Sequence, residues 1–286
     1  MTTGALINAP RVGRDGALHL RFERRGPATV VAGCRYTLPL QVLAPVALAD
    51  PAAVVSMLNP TGGLVGGDHL SIEVHVAEGA HAVLTTPSAT RVYRTAGEAT
   101  EQIVRLSVGP RAVVEWVPDH TIPFAGSALR QTITADLDET AGLILVDAFS
   151  AGRIALGEAW RFTLLDSAVS IHDRGGWLLH DRFVLRGRAR KDDPAFDGLG
   201  FTESQPYFAS IAVVGEFDHD SFAAEVAEVV ADGDGVRLGV ALLPRRGALV
   251  RCLAPTAPAL VDAIEGCWRL ARRALLGLPA LALRKG

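Results

Sequence analysis

The chain has 286 residues, 49% of them hydrophobic, with 28 Lys+Arg against 31 Asp+Glu and a formal charge of −3. That apolar content supplies a sizeable core and excludes disorder for most of the chain, because disordered segments lack the buried surface that offsets chain entropy. The near-neutral balance argues against a nucleic-acid binder, which would carry a basic face.

Cys34, Cys252 and Cys267 are odd in number and form no CxxC pair, so neither a disulfide framework nor a structural zinc site is indicated. Residues 1–14 lack the apolar core of a signal peptide. No apolar run reaches the roughly 18–20 residues that span a bilayer. These features point to a reduced, cytoplasmic protein that does not use a membrane.

In chain order, the first distinctive segment is NPTGGLVGGD, residues 59–68. Four glycines within six residues imply positive φ or close approach by a neighbouring chain. A phosphate loop is excluded: Asp68 and His69 stand where Lys and Ser/Thr are needed, and an alternating strand follows instead of a helix. In that strand, 70–76, Leu70, Ile72, Val74 and Val76 share one face. The same period-two pattern recurs in 129–137, where Leu129, Ile133, Ala135 and Leu137 align, and again in 160–164 and 236–242.

Residues 190–206, rich in Asp, Gly and Pro, are expected to form a mobile loop. Ser221 is a candidate cap for a helix carrying Phe222 and Val226, which Gly233 would end. Thr256, with Pro258 just inside, opens a longer C-terminal helix over about 257–276. Apolar residues left over on that helix, and in the 275–283 tail, would offer a partner surface.

A strand–corner–strand unit repeats around Gly79, Gly109 and Gly142, about 30 residues apart. Such a unit cannot bury its apolar face alone, so copies should stack. The expected fold is mainly β, a solenoid-like stack of β-sheets with two α-helices in its C-terminal part. A β-sandwich with chance periodicity is the alternative.

Neither a Gly-x-Ser-x-Gly elbow nor HExxH occurs, and the eight histidines are scattered. His75 and His81 flank the Gly79 corner and would be able to approach each other, but without a third ligand they make no metal site. Polar residues interrupt the repeat at corresponding places. Thr85, Thr86 and Ser88 follow the first corner, Glu115, Asp119 and His120 the second, and Asp147 and Ser150 the third, with Arg153 and Glu158 beyond. If the units stack, these groups lie in successive rungs. Either they pair with Arg91, Arg94 and Arg153, or they line a water-filled path whose oxygens bind divalent cations loosely.

NPTGGLVGGD (59–68), GAHAVLTTPSATRVYR (79–94), VEWVPDHTIPFAGS (114–127) and DAFSAGRIALGEAW (147–160) follow one another in order. Together they resemble the urease accessory protein UreD family, called UreH in some organisms. The likeness is dense over 59–160 and weaker to the C-terminal helix. Thr61 departs from the family's usual proline or serine. Asp119-His120 stands where Gln-Glu is common, which puts in doubt any role for a carboxylate at position 120.

The resemblance implies one UreD-like domain over 1–286, β-helix-like with two helices, acting as a non-enzymatic scaffold and nickel chaperone. Family members bind apo-urease and join UreF, which recruits the GTPase UreG. Nickel(II) passes transiently and no cofactor is held tightly. Carried onto this chain, the resemblance and the rung positions make Asp68, Thr86, Ser88, Asp147 and Glu158 candidates for a nickel path or tunnel. Asn59, Gly62, Gly63, Gly66 and Gly67 would shape the loop, and Arg94 and Arg153 would hold carboxylates in place.

A competing reading is a hydrolase or carbohydrate-active β-helix enzyme using paired carboxylates among Asp68, Asp147 and Glu158. Aromatics at only 6% weigh against stacking on sugars. A third reading is a purely structural binder through which no metal passes.

Overall fold

The computed structural model describes residues 14–43, 50–187, 198–231 and 235–283. In chain order the first strands are β1 (Asp15–Arg25), β2 (Ala28–Thr37), β3 (Gln41–Val42), β4 (Ala53–Leu58), β5 (His69–Val76) and β6 (His81–Thr85). They continue as β7 (Thr90–Val92), β8 (Thr100–Val108), β9 (Val113–Trp116), β10 (Thr121–Pro123), β11 (Ala128–Leu137) and β12 (Gly142–Ser150). The last are β13 (Leu164–Asp173), β14 (Gly176–Leu185), β15 (Tyr207–Val214), β16 (Arg237–Leu242) and β17 (Ala248–Ala254). The α-helices are α1 (Leu199–Thr202), α2 (His219–Ala231) and α3 (Ala257–Leu276).

From β5 onward the chain alternates between two sheets. β1, β5, β8, β11 and β13 lie parallel in a seven-stranded sheet, and β4, β6, β9 and β12 lie parallel in a ten-stranded one. A short third side stacks Leu64, Val92 and Pro123 through a bridge and the β7–β10 pair. The result is a β-solenoid, as the alternation predicts. Period-two patterning puts Leu70, Ile72, Val74 and Val76 inside with their counterparts on β8 and β11, where nearly all are buried.

The corners do not stack by their glycines. Ala80, Ala112 and Ala141 occupy the equivalent position, each fully buried, and Val113 N donates to Ala80 O as Gly142 N donates to Ala112 O. Gly79 precedes this position, Gly109 opens its own corner, and Gly142 already belongs to β12. Small size, which lets the turns approach, sets the repeat.

Parallel stacks leave edges that invite pairing with other chains. Here antiparallel strands close them: β2 against β1 at one end of the first sheet, β14 against β13 at the other. β15, β17 and β16 extend the second sheet in the same way.

The outer face of the second sheet carries a further apolar layer, Val54, Val83, Ile144, Ile211 and Val250, which α2 and α3 cover. Thr256 caps α3 by accepting from Ala259 N at 3.3 Å, and Gly277 ends it at φ 63°. Leu260, Ala263, Cys267, Trp268 and Ala271 bury the helix against the sheet, and Leu275, Leu281 and Leu283 pack partly on the same layer. Most of the apolar surface expected to be free on this helix is therefore already covered.

Three expectations need correction. Residues 160–163 are not a strand: Trp160 takes φ 60° and donates its N–H to Ala151 O, so extended structure begins only at Leu164. The cap of α2 is Asp218, whose carboxylate accepts from Ser221 N, and not Ser221 itself; Gly233 lies outside the described residues. Among the described residues there are three α-helices and not two, because residues 199–202 form α1 between Gly198 and Glu203, both left-handed. Four residues are too few to show helical periodicity. The remainder of the predicted 190–206 loop up to 197 lies outside the described residues.

Candidate functional site

The glycine-rich loop is the turn from β4 to β5 on the third side. Asn59 organises it, donating to Gly63 O at 2.9 Å and accepting from Thr61 N and Thr61 Oγ1 at 3.0 and 2.6 Å. A Cβ on Gly63 would lie 2.5 Å from the Arg91 carbonyl of the next turn, the same carbonyl that accepts from Leu64 N. Gly62 and Gly67 take positive φ, and Gly66 abuts Thr95. Asp68 closes the turn: it is buried and its Oδ2 accepts from Val65 N at 2.8 Å. Burial raises its pKa, partly opposed by that bond and by Arg14.

Between the sheets lies a cavity of about 80 Å³ that crosses successive turns. Half-buried Asn59, Thr86 and Asp119 line one part, and Gln102, Gln131 and Asp147 line the deeper part. Thr86 Oγ1 accepts from Asp119 N at 2.9 Å, fixing the rim.

Asp147 is the interior carboxylate. It follows Leu143 and Leu145 on the inward face of β12, and only 8% of it is exposed. Gln131 Nε2 donates to its Oδ1 at 2.7 Å and Ser167 Oγ to its Oδ2 at 2.8 Å. Gln102 Nε2 in turn donates to Gln131 Oε1 at 3.1 Å. Gln102, Gln131 and Ser167 are register partners on β8, β11 and β13, so the row follows from the parallel stacking. Burial pushes the Asp147 carboxyl up to about 6, against the lowering effect of Ser167 and Gln131, while Asp181 adds to the rise.

Of the candidate path residues, Thr86 and Asp147 share this cavity with the loop residue Asn59. Asp68 is outside it, in the turn just described. Ser88 is exposed. Glu158 lies on the third side, held by Arg153 through Nε–Oε2 and NH2–Oε1 bonds of 2.8 and 2.6 Å, which lower its pKa. Arg153 also sits over the Phe124 ring at 4.1 Å. Arg94 is exposed, packs on Gly126, and forms no ion pair among the described residues.

Glu115 does not share a rung with Thr86 and Asp147. It pairs in register with Val83 and Ile144 on the outward face, where α3 buries it. His81 is its partner at 2.6 Å, while His75 projects from the outer face of the other sheet, so the two histidines do not meet. Asp68, Asp147 and Glu158 share neither a hydrogen-bond partner nor a cavity. That arrangement gives no support to a paired-carboxylate enzyme.

Sequence reasoning missed Gln102, Gln131 and Ser167. One signal was present: Gln131 occupies an inward position of 129–137, between Leu129 and Ile133. Beside the cavity, Pro118 and Asp119 also border an outer groove of about 330 Å³ against Val261, Ile264 and Trp268 of α3.

Among the described residues, His, Cys, Asp and Glu nowhere gather in threes in a way that would hold a metal ion. Cys34, Cys252 and Cys267 are free thiols, the last two buried and pushed up to about 12 by desolvation. No helix among the described residues is long and apolar enough to cross a membrane.

A family model described as UreD urease accessory protein matches residues 14–285. The chain is 32% identical over 267 residues to the urease accessory protein UreD of Alkalilimnicola ehrlichii, covering 93% of this chain and 89% of that one. It is 32% identical over 288 residues to the protein of that name from Deinococcus radiodurans, covering 99% of each. With that of Pseudomonas fluorescens it shares 34% over 270 residues, 93% of this chain and 92% of the relative.

Proposed function

The chain belongs to the UreD urease accessory protein family, and from that premise we propose that it is a nickel metallochaperone scaffold in urease maturation. In this reading it works in the cytoplasm, in a complex with UreF and, through UreF, the GTPase UreG, and it engages apo-urease. Nickel(II) is cargo and not a resident cofactor.

One observation carries the transport part of the reading. A largely apolar solenoid keeps a polar row across its interior, and the row includes a carboxylate, Asp147, that sits in a cavity. Buried polar groups are costly unless paired, and a lone aspartate with hydroxyl and amide neighbours binds a divalent cation loosely. Loose binding suits a protein that must release its metal. The rigid apolar rungs on either side keep the lining apart, so it stays hydrated without collapse.

Thr86, Gln131 and Asp147 line the path in this reading. Asp68 and the 59–68 glycines hold the loop, and Arg153 holds Glu158 as a brace of the third side. The test is urease activation in cells supplying UreF and UreG with either the wild-type chain or Asp147→Asn. Lower nickel content in urease, with the complex still formed, is the expected result. Unchanged nickel content with the complex intact would leave a structural binder through which no metal passes.

A further inference from the structure

The interior polar row does not end at Asp147. Ser210 on β15 is the register partner of Asp147, and Arg251 on β17 is the register partner of Ser210. From the opposite sheet, Asp181 on β14 reaches into the same gap. Arg251 NH2 donates to Asp181 Oδ1 at 2.7 Å and NH1 to Ser210 Oγ at 3.5 Å, while Ser210 Oγ donates to Asp181 Oδ2 at 3.4 Å. The side chain of Asp181 is 16% exposed and that of Arg251 49%, so the pair leads from the interior to solvent.

A carboxylate this enclosed needs a counter-charge, and the guanidinium supplies it. Half in solvent, the guanidinium can leave without a desolvation cost, and an ion pair this exposed is weak. A divalent cation moving on from Asp147 would meet the same oxygens, those of Ser210 and Asp181, that Arg251 now occupies.

We propose that Arg251 is a displaceable cationic plug at this end of the conduit. It closes the Asp147 row to solvent in the unloaded protein and yields its place between Asp181 and Ser210 when a divalent cation leaves by that end. The plug rests on the conduit reading above and adds a second opening to it. Arg251 acts through charge and position; it is not a ligand.

The full-length chain is loaded with Ni(II) and mixed with a colorimetric chelator, and the release rate is followed by stopped flow. Arg251→Gln is expected to release nickel about tenfold faster than wild type, because a positive charge has left the exit. Arg251→Lys, which keeps the charge, should release at close to the wild-type rate, whereas a brace joining the sheets would depend on the two nitrogens that hold Asp181 and Ser210 at once. If Arg251→Gln does not fold, Arg251→Met serves in its place. Wild-type release from a folded, neutral Arg251 variant overturns the plug, while Asp147-dependent loading in the same experiment keeps the conduit. Loading that does not depend on Asp147 overturns both.

Discussion

Arg272 and Glu115, neither with any exposed side-chain surface, form an ion pair across 157 positions of sequence. Glu115 also accepts from His81 Nε2 and Trp268 Nε1, and Arg272 donates to Asp50 and to Pro279 O. One guanidinium thus ties α3 and its tail to β9 and to the approach to β4. Arg272→Ala strands two buried carboxylates, Glu115 and Asp50, and is expected to cost about 3–5 kcal/mol in urea unfolding, whereas Glu115→Ala leaves the guanidinium paired with Asp50 and should cost less. The triple variant Asp50→Asn/Glu115→Leu/Arg272→Met, which removes the guanidinium together with both carboxylates it pairs with, should cost much less than the single losses combined.

Asp147 should be a site where stability is sacrificed. Its carboxyl lies at about 6 in the folded chain against an ordinary 3.8. The stability of its protonated form is fully present below the unfolded value and is lost as pH rises through 6. Relative to a non-titrating residue, wild type should therefore lose about 2–3 kcal/mol between pH 4 and 7. Asparagine keeps the Gln131 bond on its oxygen and can donate to Ser167 Oγ. Denaturant midpoints for Asp147→Asn and wild type should nearly coincide at pH 4, diverge progressively up to about pH 6 and stay apart above it, with the variant more stable. A variant less stable than wild type at pH 7.5 would show that the folded carboxylate is stabilised and not strained.

Gly63 and Gly79 separate two reasons for glycine. A methyl at Gly63 would meet the Arg91 carbonyl at 2.5 Å, in backbone that the third side cannot yield. At Gly79 nothing lies within 4 Å, and only φ 66° resists a side chain. Gly79→Ala should cost about 1 kcal/mol, from backbone conformation alone. Gly63→Ala should cost clearly more, at least about 2 kcal/mol, from a clash that moves the turn. Thermal unfolding of the two variants side by side checks the order.

The solenoid was legible because period-two alternation encodes which face is buried, and 70–76 and 129–137 carry it cleanly. The cap and stop of α3 were legible because Thr256 and Gly277 act locally. Rung alignment was not. Glycines at 79, 109 and 142 suggested a register that Ala80, Ala112 and Ala141 set instead, and an offset of a few residues put Glu115 in the wrong layer. A strand's alternation says that Glu115 and Asp147 face opposite ways only once each strand's start is known. Ser167, Ser210, Asp181 and Arg251 lie far apart in sequence and meet only through strand order, so neither motif nor spacing could bring them together.

Gln131 is the residue through which the interior polar row can be tested without touching a charge. Its amide donates to Asp147 and to Ser167 and accepts from Gln102. Gln131→Leu keeps the volume and removes all three bonds. The Gln102 amide then has no acceptor in this row and Asp147 loses a donor that stabilises its ionised form, so the expected cost is about 1–3 kcal/mol. Losing that donor should also move the Asp147 carboxyl further up from about 6. If nickel binds the ionised carboxylate, the pH at which half-maximal loading occurs should rise in Gln131→Leu and stay put in Thr134→Val, on the outward face of the same strand. Titrating Ni(II) uptake from pH 5 to 8 in both variants reads this directly. An unmoved midpoint in Gln131→Leu would mean that uptake does not depend on Asp147.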